Sequence, residues 1–179
     1  MDIVAHALWA GVAVDCVRRR VAVSRSAAIT TIALAVAPDV LQLLPMLGWI
    51  AFGKGAFASL SAYSLASPGT EPAMPAAIAL LTHHLHCVAH SAIIALAVTA
   101  IGWMASGRLW FPLLGWWLHI VIDVFTHSAD YYPSPVFYPI TMWGFHGIAW
   151  NEPWFLILNY VALLAAGIWR AGSARASLT

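Results

Sequence analysis

The sequence predicts an all-α integral membrane protein, a bundle of about five helices forming one transmembrane domain over residues 1–179. Three observations carry that expectation. Hydrophobic residues make up 62% of the chain and charged residues only 8%, about a third of the roughly 25% usual in soluble domains. The few charges sit in short stretches between long apolar runs, so no water-facing surface can be assembled from them. The runs themselves are long and are bounded by Arg, Gly, Pro and Ser clusters, which favours helices over strands.

Five apolar segments follow in order, at about 3–17, 26–52, 76–105, 109–127 and 153–170. A hydrocarbon core of ~30 Å needs about 20 residues at ~1.5 Å each. The second, third and fourth segments are therefore expected to span, the fifth nearly does, and the first is marginal. Arg18, Arg19 and Arg20 follow the first run instead of preceding it, so residues 1–17 read as a retained helix and not as a secretory signal. The second segment contains Pro38, which lacks a backbone N–H and is expected to break the helix just before Asp39.

With five crossings, Arg18, Arg19, Arg20, Arg25, Arg108, Arg170 and Arg175 fall at one end, and only Lys54 opposes them. The positive-inside tendency makes that end cytoplasmic, as in a multi-pass protein of the bacterial inner (plasma) membrane. The connection at 53–75 is rich in Gly, Ser and Pro and reads as a flexible loop. The connection at 128–152 differs. It places Tyr131, Tyr132, Phe137, Tyr138, Trp143, Phe145 and Trp150 among Pro133, Pro135 and Pro139, a mixture suited to the headgroup level, as an aromatic belt or an interfacial lid.

Composition also removes some functions. The net charge is +1 and the eight basic residues form no concentrated patch, which sets nucleic acid aside as a partner. Cys16 and Cys87 both lie in apolar helical segments and supply no disulfide framework. Membrane lipid, with a small-molecule or lipid substrate, is the expected company.

The chemistry-bearing residues are histidines and aspartates in the apolar segments. His83, His86 and His90 recur at spacings of three and four in the third segment, on one helix face, with His84 turned away. His119 and Asp123 are four apart in the fourth segment, followed by Thr126 and His127 about a turn later. The first segment adds His6, and the expected break after Pro38 adds Asp39. Counting from the arginine-bearing ends, His6, Asp39, His90, His119 and Asp123 come out at depths of roughly 16–22 Å, with His86 and His127 at roughly 28 Å. Residues on separate helices share an ion only at similar depth, so this set forms a candidate metal site opening to the outer side.

An Asp at a helix centre carries roughly 2.5–3.5 kcal/mol on insertion scales. Two carboxylates among several imidazoles therefore seek a cation. Imidazole and carboxylate suit a divalent transition metal, Zn²⁺ first, with Mn²⁺ or Fe²⁺ as alternatives. The ligands His6, Asp39, His86, His90, His119 and Asp123 offer room for one or two ions, which would suit a phosphate ester. Asp39 and His127 are the candidates for a proton-handling, catalytic role. The bland alternatives are a hydrogen-bonded packing role for each histidine, a helix cap for Asp39 and a small buried hydrophobe for Cys87. Two other functions use the same residues: an ion transporter or proton relay, and a haem protein with axial histidines, which the two carboxylates disfavour.

These residues resemble the YdjM-like family of predicted membrane-bound metal-dependent hydrolases. The matching elements are His6 within Ala5-His6-Ala7-Leu8, the Pro38-Asp39 dipeptide, His86-x-x-x-His90-Ser91, and Gly115-x-x-x-His119-x-x-x-Asp123-x-x-Thr126. That family is distantly similar to the helical zinc-dependent phospholipase C and P1 nuclease group. The resemblance implies hydrolysis of a phosphate ester such as a phospholipid or lipid-linked phosphate, with His6, Asp39, His86, His90, His119 and Asp123 as ligands. The chain departs from the family pattern at Cys87, where a basic residue is usual, and at Thr126-His127-Ser128, where a Gly-containing form is common.

Overall fold

A computed structural model describes the backbone of residues 1–176 and the side chains of residues 1–172. Arg175, used above for orientation, lies outside the described side chains. Among the described residues there are seven α-helices and no strand: α1 (Ile3–Arg18), α2 (Arg25–Phe52), α3 (Phe57–Leu65), α4 (Ala76–Ala89), α5 (Ala92–Ser106), α6 (Leu113–Thr126) and α7 (Pro153–Ala176). The chain is all-helical as expected, but the count exceeds about five for two reasons. The connection at 53–75 contains α3, and the third apolar segment is two helices bent by 60° at His90 and Ser91.

The break falls there, and not at Pro38, because of what surrounds each place. Ser91 caps α5, its hydroxyl accepting from Ile94 N–H at 3.2 Å while donating to the Tyr138 carbonyl at 2.5 Å. Ala92 N–H donates to the Val136 carbonyl at 2.9 Å. Trp116 Nε1–H takes up the Ala89 carbonyl at 2.6 Å. The backbone groups released by the bend are thus met by the 128–152 loop and by α6. At Pro38, by contrast, α2 runs on without interruption and contains Pro45 as well. Pro38 leaves the Leu34 carbonyl without its helical N–H partner, the kind of group that neighbouring helices can meet inside a buried apolar helix, and the adjacent Ala35 carbonyl accepts from His119 Nδ1–H at 2.8 Å.

Helix α2 is the hub, packing against α1, α4 and α6, with α7 laid against α1. Gly115 makes the α2–α6 crossing possible: a Cβ there would overlap the Thr31 carbonyl of α2. At the arginine-bearing end, Arg170 pairs with Asp15 and the Arg19 guanidinium stacks over the Trp169 ring at 5.3 Å. At the other end, Asp2 caps α1 and also accepts from the Tyr160 hydroxyl of α7 at 2.9 Å.

Two helices are long and apolar enough to cross a membrane, Arg25–Phe52 and Pro153–Gly172, or three if the bent α4–α5 pair counts as one span. The fourth apolar segment forms only the 14-residue α6, shorter than the crossing expected of it. Phe111 and Pro112 lie in a turn before it, and its C-terminus is stopped by the loop. Large apolar side chains stand exposed along α5 and α7, including Leu96, Ile101, Met104, Ile157, Val161 and Leu164. Lipid is the solvent that such faces fit.

Candidate metal centre

Three places in the fold bring their polar residues to one point. Asp39 comes from the middle of α2, His90 from the α4–α5 bend, and His119 and Asp123 from successive turns of α6. One ligand atom from each lies within 4.8 Å of all the others, and all four residues are buried. Asp123 is the centre of the group. Its Oδ2 lies 3.1 Å from His119 Nε2 and 3.2 Å from His90 Nε2, and its Oδ1 lies 2.9 Å from His6 Nε2. Asp39 Oδ1 is 3.5 Å from His90 Nε2 and 3.9 Å from His119 Nε2.

The proton positions follow from the partners on the far side of each ring. A backbone carbonyl can only accept, so His119 Nδ1 is protonated toward Ala35 at 2.8 Å and His90 Nδ1 toward His86 at 2.8 Å. His127 Nδ1 is likewise protonated toward the Tyr132 carbonyl at 2.7 Å. In a neutral imidazole the other nitrogen is then a lone pair. With both rings neutral, His119 Nε2 and His90 Nε2 would face one another at 3.0 Å as lone pairs, so a metal ion or a proton must sit between them and Asp123 Oδ2. Asp123 Oδ2, close as it is to both, forms no hydrogen bond with either, and Asp39 Oδ2 and His6 Nδ1 also have none among the described residues. Asp123 Oδ1 has the Met1 amine and Asp39 Oδ1 has Gln42, but a second buried oxygen on each carboxylate is left without a donor, which is costly unless a cation satisfies it. The outward Nδ1–H to carbonyl bonds are the kind of support that orients metal-ligating histidines. A buried Asp/His cluster able to hold a metal ion is thus present; its donors suit zinc, manganese or iron alike.

The remaining sequence-predicted residues sit around this group. His6 is fully buried, stacks on His119 with ring centroids 3.9 Å apart, and contacts Asp123 Oδ1, where the Met1 amine is also bonded. His127 Nε2 is 3.6 Å from Asp123 Oδ2 and 3.4 Å from the Met1 amine. Asp123 thus presents one oxygen toward His90 and His119 and the other toward His6 and the amine. His86 stands outside the four-residue group. Its ring packs on His90 at 4.1 Å and its Nδ1 is 2.8 Å from Gln42 Oε1. Asp39 is part of a continuous helix, so its position comes from the face of α2 and not from an unwound turn.

Of the other histidines, His83 and His84 are exposed, His83 lying 3.6 Å from the sulfur of the buried Cys87. Exposed His146 accepts from Ala129 N–H at 2.8 Å.

Residues beyond the sequence-based set complete the site. Gln42, one turn after Asp39, donates to Asp39 Oδ1 at 3.4 Å while accepting from His86; its three-residue spacing from Asp39 was the available signal. Tyr132 serves through its carbonyl, and its backbone adopts a left-handed φ of 46°, neither of which side-chain chemistry announces. The 128–152 connection is fastened down: Gly147, Ile148 and Trp150 donate backbone N–H groups to the carbonyls of His127, Phe125 and Thr126 at 2.9–3.0 Å. These are the unpaired carbonyls that end α6.

A cavity of about 700 Å³ opens over the cluster, away from the arginine-bearing end. Asp39, His86, His90 and His127 line it, while His119, Asp123 and His6 lie behind them. Its walls include Ile3, Val4, Leu43 and Met74, with Tyr63, Glu71, Tyr131, Tyr132 and Trp150 toward the loops. No family model, curated protein or solved structure matches the chain. The resemblance to the YdjM-like family therefore rests on the short motifs alone.

Proposed function

We propose that the protein is a membrane-embedded metal-dependent hydrolase acting on a phosphate ester, with a lipid or lipid-linked phosphate as the natural source. The carrying observation is that the cluster has a closed side and an open side. His119 and Asp123 lie behind it, whereas Asp39 and His90 line the cavity of about 700 Å³. Catalytic sites differ from structural ones in keeping a position open to solvent or substrate. The volume is that of a small-molecule site, and the apolar walls suit a substrate with hydrocarbon close to its ester.

Within this reading His90, His119, Asp39 and Asp123 hold the ion, and Asp123, with an oxygen on each side, is placed to share it with a second one near His6. What a divalent ion supplies when bound is acidification of water, from a pKa of ~15.7 toward ~7, and polarisation of a phosphoryl oxygen. Asp39, as a ligand, is committed to the ion. The proton role therefore falls to His127, which lines the cavity with its Nε2 3.6 Å from Asp123 Oδ2 while Tyr132 holds its Nδ1–H. The motifs shared with the YdjM-like hydrolases support the same reaction class. The arginine distribution supports a cavity facing outward from a bacterial inner membrane.

The test is hydrolysis of bis(p-nitrophenyl) phosphate by detergent-solubilised protein. Activity should appear on adding zinc or manganese, vanish with chelator and be absent from His119→Ala. Ion flux in vesicles with no hydrolysis under any metal would instead support the transporter or proton-relay function.

A further inference from the structure

The cavity carries a second group of residues that metal chemistry does not use. Glu71 lies on its wall with Tyr63, Tyr131 and Tyr132. The Tyr132 hydroxyl donates to Glu71 Oε1 at 2.5 Å, and the Tyr131 ring stands edge-on to Tyr132 with centroids 5.2 Å apart. Tyr132's hydrogen bond holds the Glu71 carboxyl below its ordinary range, so it is an anion at neutral pH. The other carboxylate near the mouth, Asp2, is occupied in capping α1 and in accepting from Tyr160.

The lining contains no lysine or arginine. On the Glu71 wall an anionic group would meet a carboxylate with no lysine or arginine in the lining to offset it, and the Met1 amine is bonded to Asp123. Aromatic faces beside a carboxylate attract the opposite ligand, an alkylated ammonium, through ring quadrupoles and charge. We propose that the Glu71, Tyr63, Tyr131 and Tyr132 wall binds an ammonium group, so that the substrate is a phosphoester carrying one. The phosphoester half of this statement rests on the hydrolase reading; the ammonium half does not. The same chemistry is offered by a zwitterionic lipid headgroup and by a soluble phosphoester.

The experiment separates the two halves. Zinc-loaded full-length protein in dodecyl maltoside is titrated calorimetrically with tetramethylammonium chloride, with sodium chloride as the blank. Binding should be seen, weakened about tenfold in Glu71→Gln and severalfold in Tyr63→Leu, each variant first checked for native helicity. No binding by the unaltered protein, or equal binding by both variants, overturns the proposal. In parallel, kcat/KM for p-nitrophenyl phosphorylcholine is compared with that for bis(p-nitrophenyl) phosphate. A preference of about tenfold or more for the ammonium ester, reduced in Glu71→Gln, is expected; equal values overturn the proposal and leave the hydrolase reading intact. Tetramethylammonium binding without cleavage of either ester retains the ammonium site and removes the hydrolase. Phosphatidylcholine in mixed micelles, set against the soluble ester, then tells which source is preferred.

Discussion

Around His90 and His119 the informative atoms are the ones facing away from the cluster. Each Nδ1–H is committed to a carbonyl, so each Nε2 is the nitrogen turned to Asp123 and open to a metal ion. Such outer contacts typically change metal affinity 10–100-fold when removed. Gln42 offers a clean case, because it bridges Asp39 and His86 without entering the cluster. Gln42→Leu should weaken zinc binding about tenfold, read by competition with a chromogenic chelator.

Glu71 provides a pH-dependent test at the same scale. The Tyr132 hydrogen bond lowers its carboxyl pKa. The stabilisation linked to that shift is present above the unfolded value of ~4.3 and is lost as pH falls through the lower folded value. Tyr132→Phe should move the Glu71 titration back up toward ~4.3. Carbon-13 glutamate labelling can follow it, since Glu71 and Glu152 are the only glutamates in the chain. The histidines and aspartates of the site were legible in the sequence because helical spacing and depth counting place them together. The carbonyls of Ala35, His86 and Tyr132 that orient the rings were not, since every residue has a carbonyl and only packing selects which is used.

Among the elements, helix existence was plain from apolar runs, and helix continuity was not. Pro38 looks like a breaker and is not one, while Ala89-His90-Ser91-Ala92 contains neither Gly nor Pro and bends by 60°. Local propensity yielded in both places to partners distant in sequence, which a periodicity reading cannot contain. Ser91→Ala removes the cap of α5 and the bond to the Tyr138 carbonyl. It should cost roughly 1–2 kcal/mol and weaken metal binding through His90, seen as a lower thermal midpoint in detergent and a looser chelator competition. At the α2–α6 crossing, Gly115→Ala forces a methyl into the Thr31 carbonyl. Overpacking of that kind costs typically ~1–3 kcal/mol. His119, one turn further along α6, should lose its register with Ala35, so the variant's metal content should fall together with its thermal midpoint. A variant that loses stability and keeps full metal content would detach the crossing from the site.

For the molecule as a whole, the low charge and the exposed apolar faces of α5 and α7 agree with a bilayer as solvent. Within that solvent the burial of Asp39 and Asp123 among several imidazoles is the least ordinary feature of the chain. A cation bound only by the folded state stabilises it by RT ln(1 + [L]/Kd), about 2.7 kcal/mol at a hundredfold excess over Kd. Removing the ion should therefore lower the thermal midpoint of the native protein, and replacing it should restore it.

The most direct measurement is elemental analysis of the purified, untagged protein beside a His119→Ala, Asp123→Ala double variant. The native chain should hold one or more equivalents of a transition metal that the variant has lost. If neither retains metal after incubation with zinc and manganese, the cluster is not a metal centre, and the hydrolase proposed from it falls.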